Sequence, residues 1–137
     1  TLLREYRRRQ QILTPEGNAP GPEREREDGG LEERDWVSAA CLLVRRQAIE
    51  EVGVFDENFF LYYEDVDLCT RLRRAGWRVY YDPTVTVIHH RGASCRLDPA
   101  GARRAYRQSQ RYFWRKHHGV WGSVLLEGAL AVKAAFS

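Results

Sequence analysis

The segment from Phe55 to Cys69 reads FDENFFLYYEDVDLC, and it leaves the chain few options. Five aromatic residues, Phe55, Phe59, Phe60, Tyr62 and Tyr63, run directly into Glu64, Asp65 and Asp67. The rings must leave water, while the carboxylates cannot be stranded with them unpaired. A helix starting near Glu64 resolves the conflict. The free N–H groups and dipole of a first turn favour each acid by roughly 0.3–1 kcal/mol. With about 100° per residue, Asp65, Leu68, Cys69 and Leu72 share one face, and the three apolar members should be buried. Asp67 falls on another face, within reach of Arg71 at i+4. The helical pattern runs to about Ala75, and Gly76 ends it. An ionised Asp65 walled by aromatics has the setting of a general base. The plainer alternative is acids capping a helix whose preceding rings form core. Asp65-Val66-Asp67 is a weak metal signal, and an EF-hand loop is excluded. Counted from Asp56, its sixth position is Leu61 instead of glycine and its twelfth is Asp67 instead of glutamate.

The remaining pattern is that of an α/β segment. Residues 1–13 suit a short helix. Residues 14–34 hold three Pro, four Gly and a dense charge cluster, and read as a mobile loop. Residues 36–44 (WVSAACLLV) form an apolar run suited to a strand buried on both faces. A short helix over 46–52 stops at Gly53. Strands are expected over Trp77–Tyr81 and Val85–His89, with a turn at Asp82-Pro83. Asp98-Pro99 starts a helix expected to stop at Gly119. The divisions are therefore 1–34, a helix plus charged loop; 35–95, an α/β unit; and 96–137, a basic amphipathic helix with an apolar tail.

The 137 residues are 43% hydrophobic and 30% charged, enough for a core. No run of 18 apolar residues is present, so no ordinary transmembrane helix is expected. Three cysteines without a C-x-x-C spacing argue against a disulfide scaffold or closed zinc site, and for reduced thiols in the cytosol. Methionine is absent and Thr1 comes first, which points to a fragment, a processed form or an excised segment. The charge is uneven. Residues 35–90 carry six basic and nine acidic side chains, whereas residues 91–137 carry nine basic and two acidic. On the wheel for 99–118, Ala102, Ala105, Tyr106, Ser109, Tyr112 and Phe113 share one face. Arg104, Arg107, Arg111, Arg115 and His118 take the other, flanked by Arg103 and Trp114. A solvated surface helix is one reading. The other is a stripe facing anionic lipid or a lipid-diphosphate, with Trp114 at the interface. A basic module gripping nucleic acid is the competing function, but no known motif supports it and it leaves the acidic block unexplained.

Three blocks carry a resemblance: DWVSAACLLVRRQAIEEVG, VFDENFFLYYEDVDLCTRLRRAGWRVYYDP and VTVIHHRGAS. In order and spacing, Asp35–Ser94 resembles the C-terminal half of the catalytic domain of family-2 glycosyltransferases, in their rhamnosyltransferase-like branch. The resemblance implies part of a GT-A fold, a mixed sheet with flanking helices. It implies inverting transfer from a nucleotide-diphospho-sugar to an acceptor hydroxyl, in cell-surface polysaccharide or glycolipid synthesis. The acidic motif matches Glu64-Asp65, with Asp65 as the implied base and Glu64 orienting it or the acceptor. An H-x-x-G-x-S pattern matches His89, Gly92 and Ser94, with His89 as the implied ligand of a divalent Mn or Mg ion or of diphosphate. Implied partners are the sugar-nucleotide donor and a lipid-linked or polysaccharide acceptor. The implied location is cytoplasmic, peripheral on the inner membrane face. Two departures accompany the match. Ala39-Ala40 stands where the family shows Gly-Ala, and the N-terminal half with the donor pocket and its D-x-D is missing. The 137 residues alone are therefore expected to be inactive and to self-associate through an uncovered half-sheet.

Overall fold

A computed structural model describes residues 30–88 and 98–136. The expected helix over 1–13, nearly all of the loop over 14–34, and His89, Gly92 and Ser94 lie outside those residues. In chain order the elements are β1 (Glu32–Glu33), α1 (Arg46–Val52), α2 (Glu64–Arg74), β2 (Tyr80–Tyr81) and α3 (Pro99–Ala135). β1 and β2 pair antiparallel, with Glu32 opposite Tyr81 and Glu33 opposite Tyr80. The structure is thus mixed helix and strand, with helix dominant.

The helices form where local chemistry asks for them. Gly53, at φ 80°, closes α1 by donating to Ile49 O. Asp98 caps α3 by accepting from Gly101 N at 2.7 Å, with Pro99 in the first turn. α2 starts at Glu64 and buries Leu68, Cys69 and Leu72 as its periodicity requires.

The strands differ from expectation. Residues 36–44 form no ladder: residues 42–45 belong to no helix or strand, and burial alternates along them. Leu42 and Val44 pack on Ala48, Leu68 and Leu72, while Leu43 is 99% exposed. The stretch expected as Trp77–Tyr81 pairs only at Tyr80–Tyr81, and Val85 to Ile88 is irregular. Glu32–Glu33, expected in a loop, supplies the partner strand. The physical reason is that a strand is defined by its neighbour. An apolar run signals burial, but the ladder needs a second backbone beside it.

α3 also departs from expectation. Gly119 breaks it as anticipated, with φ 66° and ψ −160°, but helix resumes at once to Ala135. The arms over 99–118 and 120–135 fold back on each other. Arg111 Nε lies 2.5 Å from Glu127 Oε1, whereas 16 residues of straight helix would separate them by about 24 Å. Leu126 packs with Phe113 and Trp114 between the arms. Trp114, expected at a lipid interface, is therefore core, with 8% exposure. Gly122 is the contact point, because a methyl there would run into the His118 Cβ. Gly122→Ala is expected to lose about 1–3 kcal/mol in urea denaturation. Gly128→Ala, with nothing within 4 Å of the added methyl, should instead raise stability by about 0.5–1 kcal/mol.

Candidate active site

Two tyrosines introduce the acidic helix in an unusual way. Tyr62 and Tyr63 both have positive φ, 68° and 70°. Bulky residues rarely enter the left-handed region, and each such residue costs about 1–3 kcal/mol. The surrounding structure enforces the turn. Ser109 Oγ donates to Leu61 O at 2.8 Å, and the Tyr63 and Tyr106 hydroxyls lie 3.3 Å apart. Tyr62 meets the Tyr106 ring edge-on at 5.7 Å, and Tyr63 tilts against Phe113 at 5.3 Å. The first arm of α3 thus holds the turn that delivers Glu64 and Asp65 to the start of α2.

Glu64 and Asp65 occupy the first turn of α2. Asp65 Oδ1 accepts from Val66 N at 2.8 Å. Its Oδ2 faces Ala39 N at 3.4 Å, which brings the 36–44 segment against the acidic motif. Asp65 is partly buried. A fixed, partly accessible carboxylate in a helical first turn can accept a proton from a hydroxyl brought to it.

Asp67 is the unexpected member of the cluster. Assigned by periodicity to a separate face with Arg71 as partner, it does pair with Arg71, Nε to Oδ2 at 2.8 Å. Yet its side chain is 0% exposed, and Lys116 Nζ and His117 Nε2 also reach its Oδ1, each at 2.7 Å. Lys116 bridges on to Asp56 at 2.6 Å, and the Tyr112 hydroxyl donates to the same Asp56 carboxylate at 2.9 Å. Arg71 continues outward to Val52 O, Gly53 O and Val54 O, tying in the end of α1. Arg74 Nη2 donates to His117 O at 3.1 Å. The interior is therefore an ionic network that joins α2 to the first arm of α3 and to the end of α1. Burial pushes the Asp67 carboxyl up, but hydrogen bonds from His117, Lys116 and Arg71 outweigh it and bring its pKa down to about 2. Burial likewise pushes Asp56 up, and Lys116, Asn58 and Tyr112 outweigh it, leaving Asp56 well below the usual carboxylate range. Burial alone would lower Lys116, but Asp56 and Asp67 overcome it and hold the ammonium above its ordinary value.

Asp56, Lys116 and His117 were not singled out by sequence reasoning. One signal was present: Lys116 falls four residues after Tyr112 and three after Phe113, a charge on the apolar side of its helix. The expected basic stripe is only partly free. Arg111 binds Glu127 through both Nε and Nη2, the latter at 3.0 Å from Oε2. Arg107 donates to Gln110 at 3.0 Å, and Arg104 sits 3.8 Å from Asp98. Arg103, Arg104, Arg107 and Arg111 surround an open depression of about 630 Å³. Arg115 and Arg111 border a second, between the arms, of about 440 Å³.

Among the described residues no group of three His, Cys, Asp or Glu side chains converges as a metal site. Asp67 is already engaged by Arg71, Lys116 and His117, so Asp65-Val66-Asp67 does not fit a divalent ion. No helix among the described residues is long and apolar enough to cross a membrane.

Sequence comparison assigns the class. The profile described as glycosyl transferase family group 2 matches residues 36–134. The chain belongs to that family. It is 45% identical over 103 residues to the N-acetylglucosaminyl-diphospho-decaprenol L-rhamnosyltransferase of Mycobacterium tuberculosis, a match covering 72% of this chain and 34% of the relative. It is 43% identical over 56 residues to rhamnosyltransferase WbbL of Escherichia coli, covering 41% of this chain and 21% of the relative. It is 47% identical over 54 residues to the pre-mycofactocin glycosyltransferase of M. tuberculosis, covering 39% and 11%. The chain thus spans about a third of the length of the mycobacterial rhamnosyltransferase. No solved structure matches.

The Asp67 network carries a pH prediction. Asp67 has a folded pKa of about 2 against an ordinary 3.8, so its stabilisation is complete above about pH 4 and is lost as pH falls through 2. Asp56 acts in the same direction. Urea midpoints should fall steeply from pH 4 to pH 2. Asp67→Asn should lower stability at pH 7 by about 3 kcal/mol and flatten that slope.

Proposed function

We propose that this chain is the acceptor-side part of an inverting glycosyltransferase with a GT-A fold, its 35–95 segment carrying the catalytic carboxylates. The donor is a nucleotide-diphospho-sugar, and the acceptor is a hydroxyl on a lipid-linked or polysaccharide glycan at the cytoplasmic side of a membrane. The observation that carries this reading is the Glu64-Asp65 pair. It begins α2 behind two tyrosines held in the left-handed region, within a family-matched segment. Strain of that kind concentrates where geometry serves chemistry. The relatives named as rhamnosyltransferases, one of them for a diphospho-decaprenol acceptor, support the choice of substrates.

In this reading Asp65 takes the proton of the acceptor hydroxyl as its oxygen attacks the anomeric carbon and the nucleoside diphosphate leaves. Glu64, one residue earlier, orients the acceptor. Arg104, Arg107, Arg111 and Arg115 supply positive charge beside the acceptor's phosphates. Trp114 has no part in that contact, since it is core. For a divalent ion the candidate ligand in this chain is His89. Self-association of the 137 residues is assigned to the uncovered apolar side chains Leu43, Val85 and Ile88. A nucleic-acid module is not adopted, because it leaves Glu64 and Asp65 without a task.

The test is sugar transfer to a lipid-diphosphate acceptor by the complete gene product. Asp65→Asn should reduce kcat by 10²–10⁴-fold, the usual contribution of a general base, with little change in KM. Glu64→Gln should lose less. Asp67→Asn should show its main effect in thermal melts. Full kcat retained in Asp65→Asn would refute the assignment.

A further inference from the structure

Glu127 stands where an anion would. On the first arm of α3, Arg103, Arg104, Arg107 and Arg111 surround the larger open depression. Arg111 and Arg115 border the smaller one, which Glu127 closes from the second arm. Gln108 and Arg111 line both, so the two adjoin along one side of the first arm. Arginines at 104, 107, 111 and 115 are three or four residues apart, hence neighbours on the helix surface, where like charges repel. Arg104 lies 3.8 Å from Asp98, and Arg107 donates to the neutral Gln110. Among the described residues that line the two depressions, Glu127 is the only acid.

Its carboxylate copies the geometry of a ligand. Oε1 meets Arg111 Nε at 2.5 Å and Oε2 meets Nη2 at 3.0 Å, the two-pronged contact that a guanidinium makes with carboxylate and phosphate oxygens alike. Arg111 in turn holds the Glu127 carboxyl below its ordinary range, so it stays charged at neutral pH. The pair is open to solvent, with side chains 57% and 50% exposed, and ion pairs of that kind are weak enough to exchange. Exchange leaves the arm in place: buried Leu126 holds it to Phe113 and Trp114, and only the Glu127 side chain has to swing aside. A monoanion gains at Arg111 only what Glu127, tethered beside it, already supplies. A diphosphate carries more charge, and it is long enough to meet Arg111 and a neighbouring arginine one turn away. We propose that Glu127 is a tethered competitor that reserves the arginine groove for diphosphate: a single-charge anion fails to displace it and a diphosphate succeeds. Glu127 is then a specificity-determining residue, a role that rests on the reading of these arginines as phosphate contacts.

The test titrates inorganic diphosphate and dimethyl phosphate, a monoanion, into the 137-residue chain at low salt, with binding followed by NMR at the Arg111 side-chain N–H. The parent should bind diphosphate and show no saturable binding of dimethyl phosphate. Glu127→Gln should tighten diphosphate about three- to fivefold and admit dimethyl phosphate, with melting close to the parent's. Glu127→Asp keeps the charge on a stem shorter by one methylene, which should lose the two-pronged contact and act in the same direction. Glu50→Gln makes the same charge change as Glu127→Gln at an exposed pair on α1, and should leave both titrations unchanged. Equal discrimination by the parent, Glu127→Gln and Glu127→Asp overturns the proposal, while weaker diphosphate binding in Arg115→Gln would keep the arginine reading intact. An equal gain in Glu50→Gln also overturns it, by reducing the effect to net charge. Absence of diphosphate binding in every variant overturns both the role of Glu127 and the arginine reading. A short-chain prenyl diphosphate and a nucleoside diphosphate separate the two bearers of the group. Tighter binding of the first assigns the groove to the acceptor, and tighter binding of the second to the leaving nucleotide, with the role of Glu127 standing in either case.

Discussion

Asp67 holds a full negative charge with none of its side chain exposed. An isolated charge in that position would be untenable, so everything around it is arranged as compensation. Arg71 comes from its own helix, Lys116 and His117 from α3, and Asp56 balances Lys116 from the preceding loop. Removing Asp67 would take from Arg71 and Lys116 the carboxylate they share. That interdependence fixes how α2, α3 and the end of α1 meet, more sharply than apolar packing could. Hydrophobic contacts tolerate sliding, whereas a cation 2.7 Å from a carboxylate oxygen does not.

The catalytic assignment leans on this arrangement. Glu64 and Asp65 precede Asp67 by only two or three positions, so the helix that carries them is located by the buried charge at its fourth residue. From the other side, Tyr106 and Ser109 of α3 grip the turn over 61–63. α3 therefore contributes to the acidic site without touching a reacting atom. The Gly119 corner matters for the same reason. By folding the second arm back, it shields Trp114 and Phe113 and so backs the helix that supports the tyrosine turn.

What could be read from sequence follows from the range of each interaction. Helix starts and stops are set within a few residues, and Asp98-Pro99, Gly53 and Glu64 were legible for that reason. So was the Leu68, Cys69 and Leu72 face. The Glu64-Asp65 pair was legible through its aromatic neighbours and its family blocks. Strand pairing depends on a distant partner, and the run over 36–44 carried no information about whether one was present. The Asp56–Lys116 bridge joins residues sixty apart, and neither looks unusual locally. The αL conformation of Tyr62 and Tyr63 had no residue signal, because the types that mark such turns are glycine and asparagine. Trp114 was misplaced because a wheel treats a helix as isolated, while the second arm covers its flank.

The tyrosine pair has a consequence for how this segment evolves and how it can be engineered. At positions 62 and 63 the backbone and the core favour different residues. Glycine or asparagine would relax the backbone at either position, yet would give up the ring contacts to Tyr106 and Phe113 that aim the following acids. Tyr63 is only 3% exposed, so the burial lost with its ring, about 3–5 kcal/mol, outweighs the about 1–3 kcal/mol of strain relieved. Selection for heat resistance would therefore keep a strained backbone at this turn, because the ring that holds it in place is worth more than the strain it imposes.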